Sequence, residues 1–384
     1  MKKEILNVII LPPHKLFYLP SISIWTHYNS RNEPCVIIPG NKNFDEVKKL
    51  HPAFEVANKV REQVEEYDGV NFVVLQHSSE RHFQNFVVWL EDFEKRVPPE
   101  NVTVTFVPDG FGNTMIGPSY IKKLDETRGR SANVKEYLSF GFMDKSTENM
   151  AGMIPANCID MSLLADEFDR NEDIKAMSNV RSLERLIGRD MVFLPFRPWC
   201  TKRFQHGAYD FGSIQELSCL YGQLIAEAWR EDNLKDPIVL YRPDERFDEE
   251  SNEVREALSK SYEVLDTQDF YPQSLTIEPM LYYLFSMGFV RKASMVCLDS
   301  TSFQMMPFLL NKIPTVKFSA LLGAKSERVL QMTKSSSFVS GRLRNKLHHF
   351  RGRYATMLND GYIQEHTIID ETCSIVKLSR SIFC

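Results

Sequence analysis

The sequence predicts an α/β protein built from two domains. A chain of 384 residues is about twice the usual domain length, and 43% apolar residues are enough for two separate cores. Strand-like runs alternate with helical patterns, which is typical of a parallel sheet with crossover helices, and this series occurs twice. The two series join near Gly188, so the expected domains are residues 1–188 and 189–384.

The first series contains runs of β-branched and aromatic residues that predict strands at Ile5–Leu11, Cys35–Ile38, Phe72–Leu75 and Val102–Val107. Helical patterns lie between these strands, at about Phe44–Leu50, Ala53–Glu66 and Arg81–Arg96. From Ile121 to Gly188 the pattern predicts mainly helix, most clearly at Met161–Phe168 and Asn179–Ile187.

The second series predicts strands at Met191–Phe196, Pro237–Tyr241, Ser294–Leu298 and Thr315–Phe318. Its helices are expected at about Ser213–Trp229, Ser251–Lys260, Ile277–Met287 and Thr301–Leu310. Ser213 with Glu216 has the form of a capping box at the first of these helices. Two successive series of this kind predict two Rossmann-like domains that face each other across a cleft.

Charge and cysteine content exclude several classes of protein. A net charge of −5 argues against nucleic-acid binding, which requires a clearly basic domain. The seven cysteines include no pair with zinc-ligand or redox spacing, so we expect reduced core thiols in a cytoplasmic protein. The apolar run at Ile5–Leu11 is too short for a signal peptide, and no segment reaches the roughly 20 apolar residues of a membrane span.

The stretch Val102–Gly110 is the first candidate for chemistry, because a buried strand there ends in the tight turn Pro-Asp-Gly. Asp109 is then held just past the carboxyl end of a strand, where open α/β sheets bind ligands. The alternative is an ordinary turn in which Asp109 caps backbone amides. Gly110 and Gly112 lack the third glycine and the acidic residue of a dinucleotide fingerprint, so they are weak evidence for NAD.

Three features of the second half are placed where a nucleotide would bind. Arg242 and Pro243 directly follow a predicted strand, and Glu278 stands at the start of a predicted helix, where a carboxylate can accept both ribose hydroxyls. A further set of hydroxyl residues ends one strand and opens a helix, whose free N–H groups suit a phosphate: Ser300, Thr301 and Ser302.

With these residues the chain resembles the bacterial sialyltransferases of the glycosyltransferase B fold, which include capsular polysialyltransferases and lipooligosaccharide sialyltransferases. That group carries an acidic-acidic-Gly motif, a His-Pro motif, a Pro-x-Glu-like segment and a Ser-Ser/Thr pair. Here Pro108-Asp109-Gly110, Arg242-Pro243, Ile277-Glu278 and Ser300-Thr301-Ser302 stand in the same order, over roughly residues 1 to 320. Each motif is short, so the resemblance depends on all four together.

Two departures from the family pattern affect the mechanism. Pro108 stands where the family has an acid, which leaves Asp109 as the single candidate for the base. Arg242 replaces the histidine, and a guanidinium can neutralise a phosphate but cannot give up a proton near neutral pH. In the family's role Arg242 would therefore act as an electrostatic clamp.

The resemblance implies an inverting transfer of sialic acid, or a related 2-keto sugar acid, from a CMP-activated donor to a glycan hydroxyl in surface polysaccharide or lipooligosaccharide synthesis. It implies that the first domain binds the acceptor and the second the donor. Asp109 would take the proton, Arg242 and Ser300–Ser302 would stabilise the leaving phosphate, and Glu278 would hold the ribose. No Asp-x-Asp metal motif follows a strand, so neither a metal nor a cofactor is expected.

Each of these residues also has a plain structural explanation. Arg242 could pair with Asp244, Glu245 or Asp248 in the core, and Glu278 could be a solvated first-turn residue stabilised by the helix dipole. The hydroxyl residues at 300–302 could simply cap a helix.

Two basic segments are further candidates for contact with an anionic ligand or surface. A loop after the first strand of the second domain should border the cleft and carries Arg197, Lys202, Arg203 and His206. Residues 341–357 have the pattern of a basic amphipathic helix, which suits an anionic membrane surface or an anionic polysaccharide. The plain explanations are a loop charged for solubility and a solvated helix face.

Other functions remain compatible with the sequence. The same fold could use CMP-Kdo or a UDP-hexose, since the histidine is missing. Twin domains also occur in epimerases and binding proteins, and an inactive glycan-binding scaffold would retain them.

Overall fold

A computed structural model of the chain describes most of both predicted domains. The described residues are 4–11, 18–39, 47–48, 51–75, 80–107, 117–129, 131–140, 156–160, 163–170, 183–196, 214–244, 247–273, 275–297, 306, 309–310, 313, 315–324, 363–369 and 374–380. The chain divides into two compact units. Unit 1 comprises Met1–Ile174 with Ser274–Thr276, and unit 2 comprises Lys175–Gln273 with Ile277–Cys384. The sequence predicts the join near Gly188.

Unit 1 contains a six-stranded parallel sheet in the order β2-β1-β3-β4-β5-β6. Its strands are β1 Ile5–Ile10, β2 Cys35–Ile38, β3 Gly69–Leu75, β4 Val102–Val107, β5 Val134–Phe140 and β6 Ala156–Ile159. Its helices are α1 Tyr18–Asn29, α2 Ala57–Gln63, α3 Glu80–Phe93, α4 Gly117–Arg128 and α5 Leu163–Arg170. The expectation of mainly helix between Ile121 and Gly188 is wrong, because β5 and β6 lie within that segment.

Unit 2 contains a seven-stranded sheet in the order β12-β13-β11-β10-β7-β8-β9. β13 runs antiparallel to both of its neighbours, β11 and β12. Its strands are β7 Met191–Pro195, β8 Ile238–Arg242, β9 Val264–Asp266, β10 Lys292–Cys297, β11 Lys317–Ala324, β12 Ile363–Ile369 and β13 Ser374–Arg380. Its described helices are α6 Ile214–Glu231, α7 Asp248–Ser259 and α8 Glu278–Ser286.

Each unit has its own hydrophobic core on one face of its sheet. In unit 1, alternate residues of the strands, such as Val8 and Phe72, pack against Phe86 and Phe93 of α3. In unit 2, the strands pack against apolar positions of α6 that recur at helical spacing, including Leu217, Leu220, Tyr221, Leu224 and Ala228. The buried residues of a strand recur at every second position, and those of a helix recur about every 3.6 positions. These two apolar surfaces pack against each other in a crossover unit.

The predicted fold class is confirmed: the chain is α/β, with two units that each contain a mainly parallel, doubly wound sheet. The predicted core location of the thiols is wrong for two of them. Cys158 and Cys219 are exposed, and Cys35 is half-buried. No helix in the described part of the chain is long and apolar enough to cross a membrane.

Candidate functional site

The strand order of unit 2 places a topological switch point between β7 and β10. From β7 the chain moves to β8 and β9 on one side, and then returns to β10 and β11 on the other. The crossover connections on the two sides leave the sheet in opposite directions, so a crevice opens at the carboxyl ends of β7 and β10. This edge of the sheet is where a ligand of a doubly wound fold binds.

Sequence-predicted site residues follow the strands at this edge. β7 ends at Pro195, shortly before the loop that carries Arg197, Lys202, Arg203 and His206. β10 ends at Cys297, shortly before Ser300, Thr301 and Ser302. These seven residues lie outside the described residues, so only the strands that lead to them are placed.

Arg242 is the last residue of β8, which pairs with β7 through Pro195 at the same edge. The Phe196 amide donates to the Arg242 carbonyl at 2.8 Å and ties the two strand ends together. The Arg242 side chain is only 8% exposed, and Pro243 after it is buried. A guanidinium is therefore held in a site of low polarity at the ligand-binding edge.

Two contacts orient the Arg242 side chain. Its Nη2 donates to the backbone carbonyl of Gln273 at 3.0 Å. Its guanidinium carbon lies 5.8 Å from the centre of the Tyr271 ring, within the range of a cation–π contact. The segment after β9 therefore fixes Arg242 from a part of the chain about thirty residues away.

Glu278 begins α8, with Pro279 at the next position, where its missing N–H costs no helical hydrogen bond. The residue is 7% exposed, so the expected alternative of a solvated first-turn carboxylate is wrong. Among the described residues, no hydrogen-bond or ion-pair partner of its side chain is found. Glu278 follows, within five residues, the Gln273 whose carbonyl accepts from Arg242.

Tyr271 connects the two charged residues. Burial raises the pKa of the Tyr271 phenol well above its ordinary value of 10.0, the positive charge of Arg242 lowers that pKa, and the negative charge of Glu278 raises it. Both charges therefore act on one buried phenol. Sequence reasoning missed Tyr271, and only its position shortly after β9 and before Glu278 could have indicated it.

In unit 1, β4 ends at Val107, and Asp109 and Gly110 follow it. Both residues lie outside the described residues. The switch point of this sheet is between β1 and β3, and β4 is the strand beside β3. The strand that leads to Asp109 is therefore confirmed, and its role stays a prediction.

The described residues contain no group of three His, Cys, Asp or Glu side chains that could hold a metal ion. The basic segment 341–357 lies outside the described residues.

No family model and no curated protein matches the chain. Solved structures to which it is similar include a glycosyltransferase from Rickettsia africae ESF-5, with 10% identity, 94% of each chain covered and a TM-score of 0.43. A UDP-N-acetylglucosamine 2-epimerase from Rickettsia bellii matches at 10% identity over 79% of this chain and 76% of that one, with a TM-score of 0.41. An E. coli heptosyltransferase matches at 12% identity over 79% and 86%, with a TM-score of 0.35. Similarities this low assign no activity to the chain.

Proposed function

We propose that this protein is an inverting, metal-independent glycosyltransferase that moves sialic acid, or a related 2-keto sugar acid, from a CMP-activated donor to a glycan hydroxyl. The observation that carries the proposal is in unit 2. Arg242, at the ligand-binding edge, and Glu278 are both buried. Arg242 is held by Gln273 and Tyr271, which precede Glu278 by five and seven residues. The resemblance described above assigns Arg242 to the leaving phosphate and Glu278 to the ribose of the same donor.

Arg242 supplies positive charge for the leaving phosphate in this proposal. As the bond between the sugar and the phosphate breaks, negative charge grows on CMP, and a fixed guanidinium stabilises it with up to two hydrogen bonds. Burial strengthens this effect because little water screens the charge. The contacts with Gln273 and Tyr271 hold the group in place before the donor arrives.

Glu278 accepts hydrogen bonds from the ribose hydroxyls in this proposal. A carboxylate can take two such donors at once. Ser300, Thr301 and Ser302 would complete the phosphate site with hydroxyl and backbone N–H groups.

Asp109 is the proposed base, supplied by the acceptor-binding unit 1. It takes the proton of the acceptor hydroxyl while that oxygen bonds to the anomeric carbon of the donor. The electron pair of the broken bond leaves with CMP. The configuration at the anomeric carbon therefore inverts.

Calorimetric titration of the wild-type protein and of Arg242→Lys with CMP, UDP and NAD tests the proposal. Wild type is expected to select CMP, and Arg242→Lys to bind CMP about tenfold or more weakly, since lysine cannot make the paired hydrogen bonds. Arg255→Lys is the matched control, because Arg255 is another arginine of unit 2 that bonds Asp266 instead. Thermal unfolding shows whether each variant is folded.

The possible outcomes separate the donors. Selective binding of UDP would replace the 2-keto sugar acid with a hexose donor. Binding of none of the three nucleotides by folded wild-type protein would overturn the proposal, as would equal CMP affinity in wild type and Arg242→Lys.

A further inference from the structure

Unit 2 contains an open groove of about 490 Å³ between α6 and α7. A volume of this size is within the range of small-molecule sites. None of the residues that line the groove is one of the donor-site candidates Arg242, Pro243 and Glu278. The groove is therefore distinct from the described part of the proposed donor site.

Small side chains on α6 create this space. Gly222 lines the groove, and a Cβ built on it meets no heavy atom within 4 Å. Ser218 and Cys219 lie one turn earlier and also line the groove. Glycine in the interior of a helix costs up to about 1 kcal/mol relative to alanine, so the open space is maintained at the expense of helix stability.

An aromatic ring and several hydrogen-bonding groups also line the groove, together with the apolar side chains Ile214, Ala257 and Leu258. Tyr262 is half-buried, and its hydroxyl donates to the Gly222 carbonyl at 3.0 Å, which fixes the ring across the groove. Gln215, Glu253 and Lys260 are exposed at the lining and add amide, carboxylate and ammonium groups. The single acid and single base leave the charged lining neutral overall.

We infer that this groove binds a neutral carbohydrate. Sugar hydroxyls both donate and accept hydrogen bonds, so they match a mixed set of amide, carboxylate, ammonium and hydroxyl groups. The apolar C–H face of a sugar ring packs on an aromatic ring such as that of Tyr262. An anion would meet Glu253, and an acyl chain would make no hydrogen bond to the amide, carboxylate and ammonium groups of the lining.

This assignment does not depend on the proposed transferase activity. A groove of this kind would retain a glycan chain at unit 2 whether or not the protein transfers sugars. Its test therefore uses binding alone, with neither donor nor turnover.

Alkylation of Cys219 reports whether the groove is occupied, because this exposed cysteine lines it. The rate of alkylation of Cys219 by iodoacetamide is measured by peptide mass spectrometry with and without maltose, lactose and N,N′-diacetylchitobiose. At about nine times the dissociation constant, a bound disaccharide is expected to slow the reaction roughly tenfold by occupancy. Cys158 is the internal control, since it is an exposed cysteine of unit 1 and its rate should not change when a ligand binds unit 2.

Gly222→Leu is the matching variant, because Gly222 lines the groove and a Cβ there meets no heavy atom within 4 Å, so a larger side chain can extend into the groove. It is expected to remove the protection of Cys219 by the disaccharide. Ala226→Leu, at an exposed position of α6 outside the groove lining, should keep that protection.

Three results would overturn the inference. One is that none of the three disaccharides slows the alkylation of Cys219 at any soluble concentration. Another is that Cys158 is protected as much as Cys219. The third is that protection persists in Gly222→Leu.

Discussion

Glu278 is buried at the start of α8, where the helix dipole stabilises its negative charge by about 0.3–1 kcal/mol. In the proposed function it accepts hydrogen bonds from the ribose hydroxyls. Loss of its charge is therefore expected to affect binding of the donor more than folding.

Glu278→Gln is predicted to change the free energy of unfolding by no more than about 1 kcal/mol, the usual size of a helix-dipole contribution. It is predicted to weaken CMP binding roughly tenfold, because hydrogen bonds to a charged acceptor are the stronger ones. Chemical denaturation and calorimetric titration measure the two effects on the same samples. A variant with unchanged CMP affinity would show that Glu278 does not contact the donor.

His27 is a buried histidine that should make stability depend on pH. It is 5% exposed, and its Nε2 atom has no hydrogen-bond partner. Burial lowers the pKa of the imidazole below its ordinary value of 6.5, Arg31 and Lys135 lower it too, and Glu136 and Glu33 raise it. As the pH falls below 6.5, the unfolded chain takes up a proton before the folded protein does, so stability is lost.

His27→Phe is therefore predicted to flatten the loss of stability between pH 6.5 and the lower pKa of the folded state. The difference in slope between wild type and variant is limited to about 1.4 kcal/mol per pH unit for one proton. Urea denaturation at a series of pH values measures it. All other titrating groups are common to both proteins, so parallel pH profiles would contradict the prediction.

Strands of unit 1 carry a polar ladder that the sequence analysis did not recognise. The Nδ2 of Asn71 on β3 donates to the Oδ1 of Asn7 on β1 at 2.8 Å, and Thr103 and Thr105 on β4 donate to the Oδ1 of Asn71 at 3.0 and 3.1 Å. Asn7, Asn71 and Thr105 are fully buried. Their bonds satisfy one another across neighbouring strands, so this face of the sheet tolerates polar side chains at alternate positions.

α1 was missed for a related reason. Most of its side chains are buried, including Ser21, Ser23 and Thr26, so it has no polar face to produce a helical pattern. The three hydroxyls donate to carbonyls of the same helix three or four residues earlier, at 2.6, 3.1 and 2.8 Å. Their pattern in the sequence resembles a loop, while their bonds are those of a buried helix.

Gly69, the first residue of β3, lies close to the backbone of Asn101. A Cβ at this position would lie 2.7 Å from the carbonyl oxygen of Asn101, so Gly69→Ala must move the start of β3 away from the segment before β4. We expect a loss of about 1–3 kcal/mol in the free energy of unfolding, as is usual for overpacked sites.

Gly222→Ala is the matched control, since it makes the same chemical change where there is open space in a helix. It is expected to raise stability by up to about 1 kcal/mol. Equal stability changes in the two variants would contradict the close approach at Gly69.

The proposed base and the proposed donor-binding residues belong to different units of the molecule. Asp109 follows a strand of unit 1, whereas Arg242 and Glu278 belong to unit 2, and each unit has its own core. Asp109→Ala is predicted to reduce turnover by about 100- to 10,000-fold, the usual contribution of a general base, with little change in CMP affinity.

Asp68→Ala is the control for this variant, because Asp68 is an exposed aspartate of the same unit, directly before β3. Transfer of radiolabelled sugar measures turnover, and calorimetry measures affinity. Full turnover in Asp109→Ala would remove this residue from the mechanism.

The sequence by itself determined the α/β class, most of the parallel strands and the positions of Arg242 and Glu278 beside the ends of regular elements. Local patterns were sufficient for these features, because buried parallel strands and amphipathic helices repeat with fixed periods. β5 was different: its mixed sequence, with Lys135 and Glu136, lacks a clear strand period, and Glu136 is buried only because Tyr28 and Asn157 donate to its carboxylate.

Only the tertiary structure decided which residues share a neighbourhood. The strand order that places the switch point between β7 and β10 depends on long-range pairing, and so does the convergence of Arg242 and Glu278 on Tyr271. Neither feature leaves a periodic signal in the sequence, because it depends on contacts between residues far apart in the chain.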